Sequence, residues 1–149
     1  MKRLLPFCFI YFLLISCITQ EPNLYVWDEK IPEDNIATLI SRWNNNTAVG
    51  RIYFHSYNGI QVKWVFENYS DIIIKIPSGK TELICDGIAG WGKALNLPFE
   101  YNFLPGVTYI FDFKWGKKTG NETQIAIIIL LDENKKEIYR KEYEVKFNN

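Results

Sequence analysis

One histidine, few cysteines and no excess of either charge sign narrow what this chain can do. His55 is the only histidine among 149 residues, so a histidine-based zinc site or a Ser-His-Asp triad would rest on it alone. Tyr53 and Tyr57 share its parity along an extended segment, and a packed or surface aromatic row is the expected use of that face. Lys plus Arg equals Asp plus Glu at 17 each, which gives no electrostatic basis for holding nucleic acid or anionic lipid. No stretch sustains an apolar 3.6-residue period over the length of a helix. The N-terminal apolar run, residues 4–18, would rise only about 22 Å as a helix against a hydrocarbon core of about 30 Å. Pro6 shortens its regular part further.

That run is informative for another reason. It follows Lys2 and Arg3 and closes on Leu14-Ile15-Ser16-Cys17, with the basic start, apolar core and small residue before a cleavage point that mark a secretory signal. The tetrapeptide resembles the lipobox of bacterial lipoproteins. The resemblance implies that residues 1–16 are removed and that Cys17 becomes an acylated N-terminus. The membrane is then the first partner, through lipid on Cys17, and the domain sits on the cell membrane or outer membrane, in the periplasm or on the cell surface. At about 0.8 kcal/mol per buried methylene, several acyl chains hold a protein far better than the single chain that binds reversibly. An uncleaved spanning helix and plain secretion after cleavage elsewhere are the competing readings. Cysteine usage fits the anchor: Cys8 would leave with the signal, Cys17 would carry lipid, and Cys85 would remain without a disulfide partner. Nothing basic adjoins Cys85 in Leu83-Ile84-Cys85, so a buried structural thiol is expected there. Loss of Lys2 and Arg3 leaves 15 cations against 17 anions, or −2.

Residues 17–35 read as a tether carrying Pro22, Pro32 and the acidic pairs Asp28/Glu29 and Glu33/Asp34. Within it Leu24-Tyr25-Val26-Trp27 is apolar enough to dock as a short edge strand. Residues 36–149 are expected to form one all-β domain, a single antiparallel sandwich of about nine or ten strands, because turn signals recur every 8 to 12 residues. Asn58-Gly59 suits the two positive φ angles of a type I′ hairpin turn. A second hairpin is expected about Pro77-Ser78-Gly79, and residues 87–96 read as a glycine-rich loop. Val107, Tyr109, Phe111, Phe113 and Trp115 form the stripe of a strand buried on one face, and residues 125–131, apolar on both faces, read as a central strand or one covered by the second sheet. Ile76-Pro77-Ser78-Gly79-Lys80-Thr81 and Leu104-Pro105-Gly106-Val107-Thr108-Tyr109 resemble the turn phrases of small immunoglobulin- or transthyretin-like sandwiches in bacterial envelope lipoproteins. That resemblance carries no catalytic residue across.

The candidates for chemistry are few. Gly87-Ile88-Ala89-Gly90-Trp91-Gly92-Lys93 has the spacing of a phosphate-binding loop, but Ala94 replaces the hydroxyl that would meet Mg²⁺ and Pro98 truncates any following helix. The acidic pairs lie in the tether, where nothing fixes the separation a glycosidase needs. Sequons at Asn45, Asn68 and Asn121 fit chance in an Asn-rich chain. Of the five tryptophans, Trp64 and Trp115 fall in alternating stripes and belong to the core. Trp91 in the glycine-rich segment and Trp43 beside an asparagine run are the candidates for ligand contact, since binding residues concentrate on loops. The expectation is a lipid-anchored, non-enzymatic binding or structural module that needs no cofactor and meets an envelope or extracellular protein or glycan. The alternative is a lectin-like domain that stacks sugar rings on these loop aromatics.

Overall fold

The computed structural model describes residues 23–26, 31–42, 50–62, 71–90, 92–117 and 124–145. In chain order the strands are β1 (Asn23–Val26), β2 (Ile36–Ser41), β3 (Arg51–Tyr57), β4 (Ile60–Gln61), β5 (Ile72–Pro77), β6 (Gly79–Ala89), β7 (Gly92–Phe103), β8 (Thr108–Lys117), β9 (Gln124–Leu131) and β10 (Glu137–Val145). They make a six-stranded sheet, ordered β1-β5-β2-β8-β9-β10, and a four-stranded sheet, ordered β4-β3-β6-β7. The fold is an all-β sandwich, as the short-period pattern predicts. No helix among the described residues is long and apolar enough to cross a membrane.

The core follows from period-two alternation. Ala37 and Leu39 of β2, Ile72, Ile74 and Ile76 of β5, and Tyr109, Phe111 and Phe113 of β8 point inward from the large sheet. Ile52, Phe54, Leu83, Cys85, Leu97, Phe99 and Phe103 meet them from the small one. Phe111 is central: the rings of Phe54 and Phe99 both stand edge-on to it with centroids at 5.1 Å. Each such side chain contributes about 1.5–3 kcal/mol on burial, which lets the domain dispense with a disulfide. β9, between β8 and β10, is buried on both faces from Ala126 to Leu130, the central placement its composition predicts. The two sheets also meet along one side, where Lys141 Nζ and Tyr143 Oη both donate to the Pro98 carbonyl at 2.7 Å. Burial, with Cys85 and Tyr139 nearby, pushes the Tyr143 phenol well above its ordinary range and keeps it a donor. Pro98 tolerates β7 because β7 is an edge strand, where a missing N–H breaks no ladder.

Four expectations change. Pro77-Ser78-Gly79 is no hairpin turn: β5 pairs with β1 and β2, β6 with β3 and β7, and the chain crosses between sheets there. Ser78 N–H donates to the Asn35 carbonyl at 2.8 Å, and Gly79 at φ 108° redirects the chain. Leu104-Pro105-Gly106 makes a second crossing, with Gly106 at φ 71° and Leu104 N–H bonded to Tyr109 Oη at 2.8 Å. The sandwich is not wholly antiparallel, because these crossings bring β2 beside β8 in parallel while β1 lies parallel to β5. The glycine-rich segment is mostly strand: Gly87 to Ala89 belongs to β6 and Gly92 opens β7. Finally, a bulge between Phe54 and Ser56 breaks the row of Tyr53, His55 and Tyr57, turning Tyr57 into the core at 5 % exposure.

Asn58-Gly59 forms the expected hairpin turn, with φ 44° and 79°. Residues 63–66 of its second arm lie outside the described residues.

Candidate functional site

The same alternation that fills the core gives the small sheet an outer face. The register sets Arg51, Ile88 and Lys93 in one row across β3, β6 and β7, and Ser56, Ile84 and Pro98 in another. Between them Tyr53 lies opposite Asp86. Asp86 sits where both neighbouring strands are irregular. On β3 the bulge leaves His55 as the extra residue; on β7, between the pairs Cys85–Leu97 and Gly87–Ala94, Leu95 and Asn96 together face Asp86. Asn96 adopts φ 54°, a left-handed conformation that asparagine tolerates better than most residues.

One carboxylate ties both bulges. His55 Nε2 lies 2.7 Å from Asp86 Oδ2, and since a carboxylate only accepts, the imidazole donates through Nε2–H. Asn96 N–H donates to Asp86 Oδ1 at 2.8 Å. Around this polar centre stand Tyr53, with the Arg51 guanidinium 5.3 Å from its ring centre, and Leu95, a large apolar side chain left 57 % exposed. A hydrogen-bonding pair framed by an aromatic ring and an exposed leucine suits contact with another molecule more than closure of a core.

A histidine oriented by a carboxylate is also the base half of a hydrolytic triad. The adjacent thiol cannot complete one. Cys85 points to the opposite side of the sheet, fully buried, and burial together with the Asp86 charge pushes its pKa far above the usual thiol range. Among the described residues no three His, Cys, Asp or Glu side chains converge as metal ligands.

Cys17, Trp43 and Trp91 lie outside the described residues, as do Trp27 and Trp64. Trp115 is core-side as expected, its ring at 5.4 Å from that of Phe113. The glycines of the loop-like motif have a packing reason. A Cβ on Gly87 would collide with the Phe113 ring, and one on Gly92 would come within 2.9 Å of Trp115. β7, not a helix, follows them, so the segment lacks the context of a phosphate loop. Sequence reasoning missed Asp86 and Asn96 as partners of His55, because the 31-residue separation of His55 and Asp86 is closed only by a register that includes the bulge.

Replacing Asp86 with alanine is expected to remove the bonds to the Asn96 amide and the imidazole together, at a cost of about 1 kcal/mol, because both donors can turn to water instead. His55→Ala, which spares the Asn96 bond, should cost less. Hydrogen exchange at the Asn96 amide checks this directly; unchanged protection in the Asp86 variant would show that the carboxylate does not hold the bulge.

The chain matches no family model, no curated protein and no solved structure.

Proposed function

We propose that this chain is a lipid-anchored lipoprotein of the bacterial envelope whose β-sandwich acts as a non-enzymatic binding or structural module. The observation that carries the reading is Leu14-Ile15-Ser16-Cys17 at the end of a basic-then-apolar leader. Its spacing from the fold supports it. β1 begins at Asn23, so five residues, 18–22, link it to the cysteine and reach about 20 Å when extended. The sandwich is thereby held close to its membrane, with the Tyr53, His55, Asp86 and Leu95 face available to an envelope or extracellular partner.

Cys17→Ala tests the anchor. Cells given labelled fatty acid should incorporate it into the parent chain and not into the variant, and the variant should leave the membrane fraction. Equal labelling of both would refute the reading.

A glycan is the second reading, and one observation favours it: Tyr53 lies beside Asp86 and His55, pairing an apolar ring with polar groups as sugar sites do. A glycan array probed with the domain lacking residues 1–17, its Tyr53→Ala variant and its Trp91→Ala variant separates the sheet face from the loop tryptophans. No glycan bound by the parent domain would end this second reading.

A further inference from the structure

The strand registers fix which end of the sandwich carries the N-terminal side. β1 begins beside the start of β5, which pairs with the end of β2. Through the parallel β2–β8 pair, the same end holds the close of β8, the start of β9 and the close of β10. The small sheet aligns with it: Gly50 bridges to Phe113, Ile52 N–H donates to Ser41 Oγ at 3.0 Å, and Gly92 abuts Trp115. The start of β3 and the β6–β7 turn at Gly90 therefore lie at the Asn23 end too. The opposite end carries Asn58-Gly59, Pro77-Ser78-Gly79, Leu104-Pro105-Gly106 and the turn after β9.

Charge divides between these ends. Among described residues in a connection or within two positions of a strand end, the Asn23 end has Arg42, Lys93 and Lys117, with Arg51 buried behind them, against Asp71 and Glu144. The opposite end has Lys75, Lys80, Lys135 and Lys136 against Glu33, Asp34, Asp132, Glu133 and Glu137. With balanced totals over the whole chain, the described residues are thus net positive at the Asn23 end and net negative, by one charge, at the far end. Lys93 and Lys117 are exposed.

Length adds a constraint. β6, with 11 residues, makes the sandwich about 36 Å tall at 3.3 Å per residue. A tether of about 20 Å is too short to let the far turns reach the bilayer with the Asn23 end lifted clear of it.

We infer that the Asn23 end is a second membrane contact, seated on anionic lipid headgroups through Lys93 and Lys117 with Arg42 behind them, and that the acidic turn end faces away. This inference rests on the lipid anchor at Cys17.

The test uses the full acylated chain in vesicles of phosphatidylcholine, with and without phosphatidylglycerol, and headgroup-nitroxide lipid as quencher. A fluorophore is placed on Asn121→Cys, just before β9, or on Glu133→Cys, just after it; Cys85 is buried and will not take the label. Quenching is expected to be several-fold greater at position 121 than at 133 and to rise with phosphatidylglycerol. Lys93→Gln with Lys117→Gln should lower the ratio of seated to lifted domain roughly thirtyfold, and high salt should lower it too. Equal quenching at the two positions, or no dependence on anionic lipid, overturns the seating while the acylated Cys17 stands. A chain whose Cys17 carries no acyl group overturns both the anchor and the seating.

Discussion

Replacing Gly87 with valine is expected to lower the melting temperature by about 10 °C or more, the scale of a roughly 3 kcal/mol overpacking loss in a domain of this size. The cause is a ring with nowhere to go. Phe113 is fully buried and lies against Gly87, where any Cβ would overlap its edge. On another side Gly50 is equally close: a Cβ there would fall 2.5 Å from Phe113 Cδ1 and 2.5 Å from the Ala89 Cβ. Even alanine at position 87 should be costly. Gly59 is the contrast, since it has φ 79° and nothing within 4 Å of its would-be Cβ, so its replacement costs only backbone strain of about 1–2 kcal/mol. Thermal unfolding of Gly87→Val beside Gly59→Ala tests the difference, and equal losses would contradict the close approach. Combining Gly87→Ala with Phe113→Leu should cost less than the two changes summed, as expected of residues in contact.

Phe111→Ala is expected to remove about 3–5 kcal/mol, because the deleted ring leaves a cavity that the two sheets cannot collapse to fill. Phe54 and Phe99 each lose an edge-to-face partner, and Phe103, with its centroid 6.4 Å away, loses a neighbour. Such pairs add about 0.5–1.5 kcal/mol beyond area alone. Against a total of about 5–15 kcal/mol the variant would be marginal. Urea unfolding gives the measurement, and a midpoint within error of the parent would show that the ring is not the keystone of the core. Phe111→Leu, which refills part of the volume, should recover much of the loss.

Much of this fold is written locally. Asn58-Gly59 specifies its turn because few other dipeptides accept two positive φ angles, and the Val107 to Trp115 stripe specifies its strand because alternation has one meaning over nine residues. Residues 125–131 advertise an interior strand by being apolar at every position. What stayed hidden is what depends on partners. Pro-Ser-Gly after β5 and Leu-Pro-Gly after β7 reverse the chain equally well within a sheet or between sheets, so their chemistry cannot say which. The bulge at His55 has no local marker, yet it shifts parity and sends Tyr57 inward. Glycines at 87 and 92 look like loop residues until the rings of Phe113 and Trp115 are seen against them. The His55–Asp86–Asn96 cluster needs all three strands in register before it exists.

The parallel pairing of β1 with β5 has a mechanical consequence. Tension applied through the N-terminal side and resisted at the far turns runs along the strand axis. The four pairs from Asn23–Ile72 to Val26–Lys75 then take the strain together in shear, instead of opening one at a time as a peeled hairpin does. β1 thus behaves as a rivet, and the force needed to strip it from the sheet grows with the number of pairs it holds.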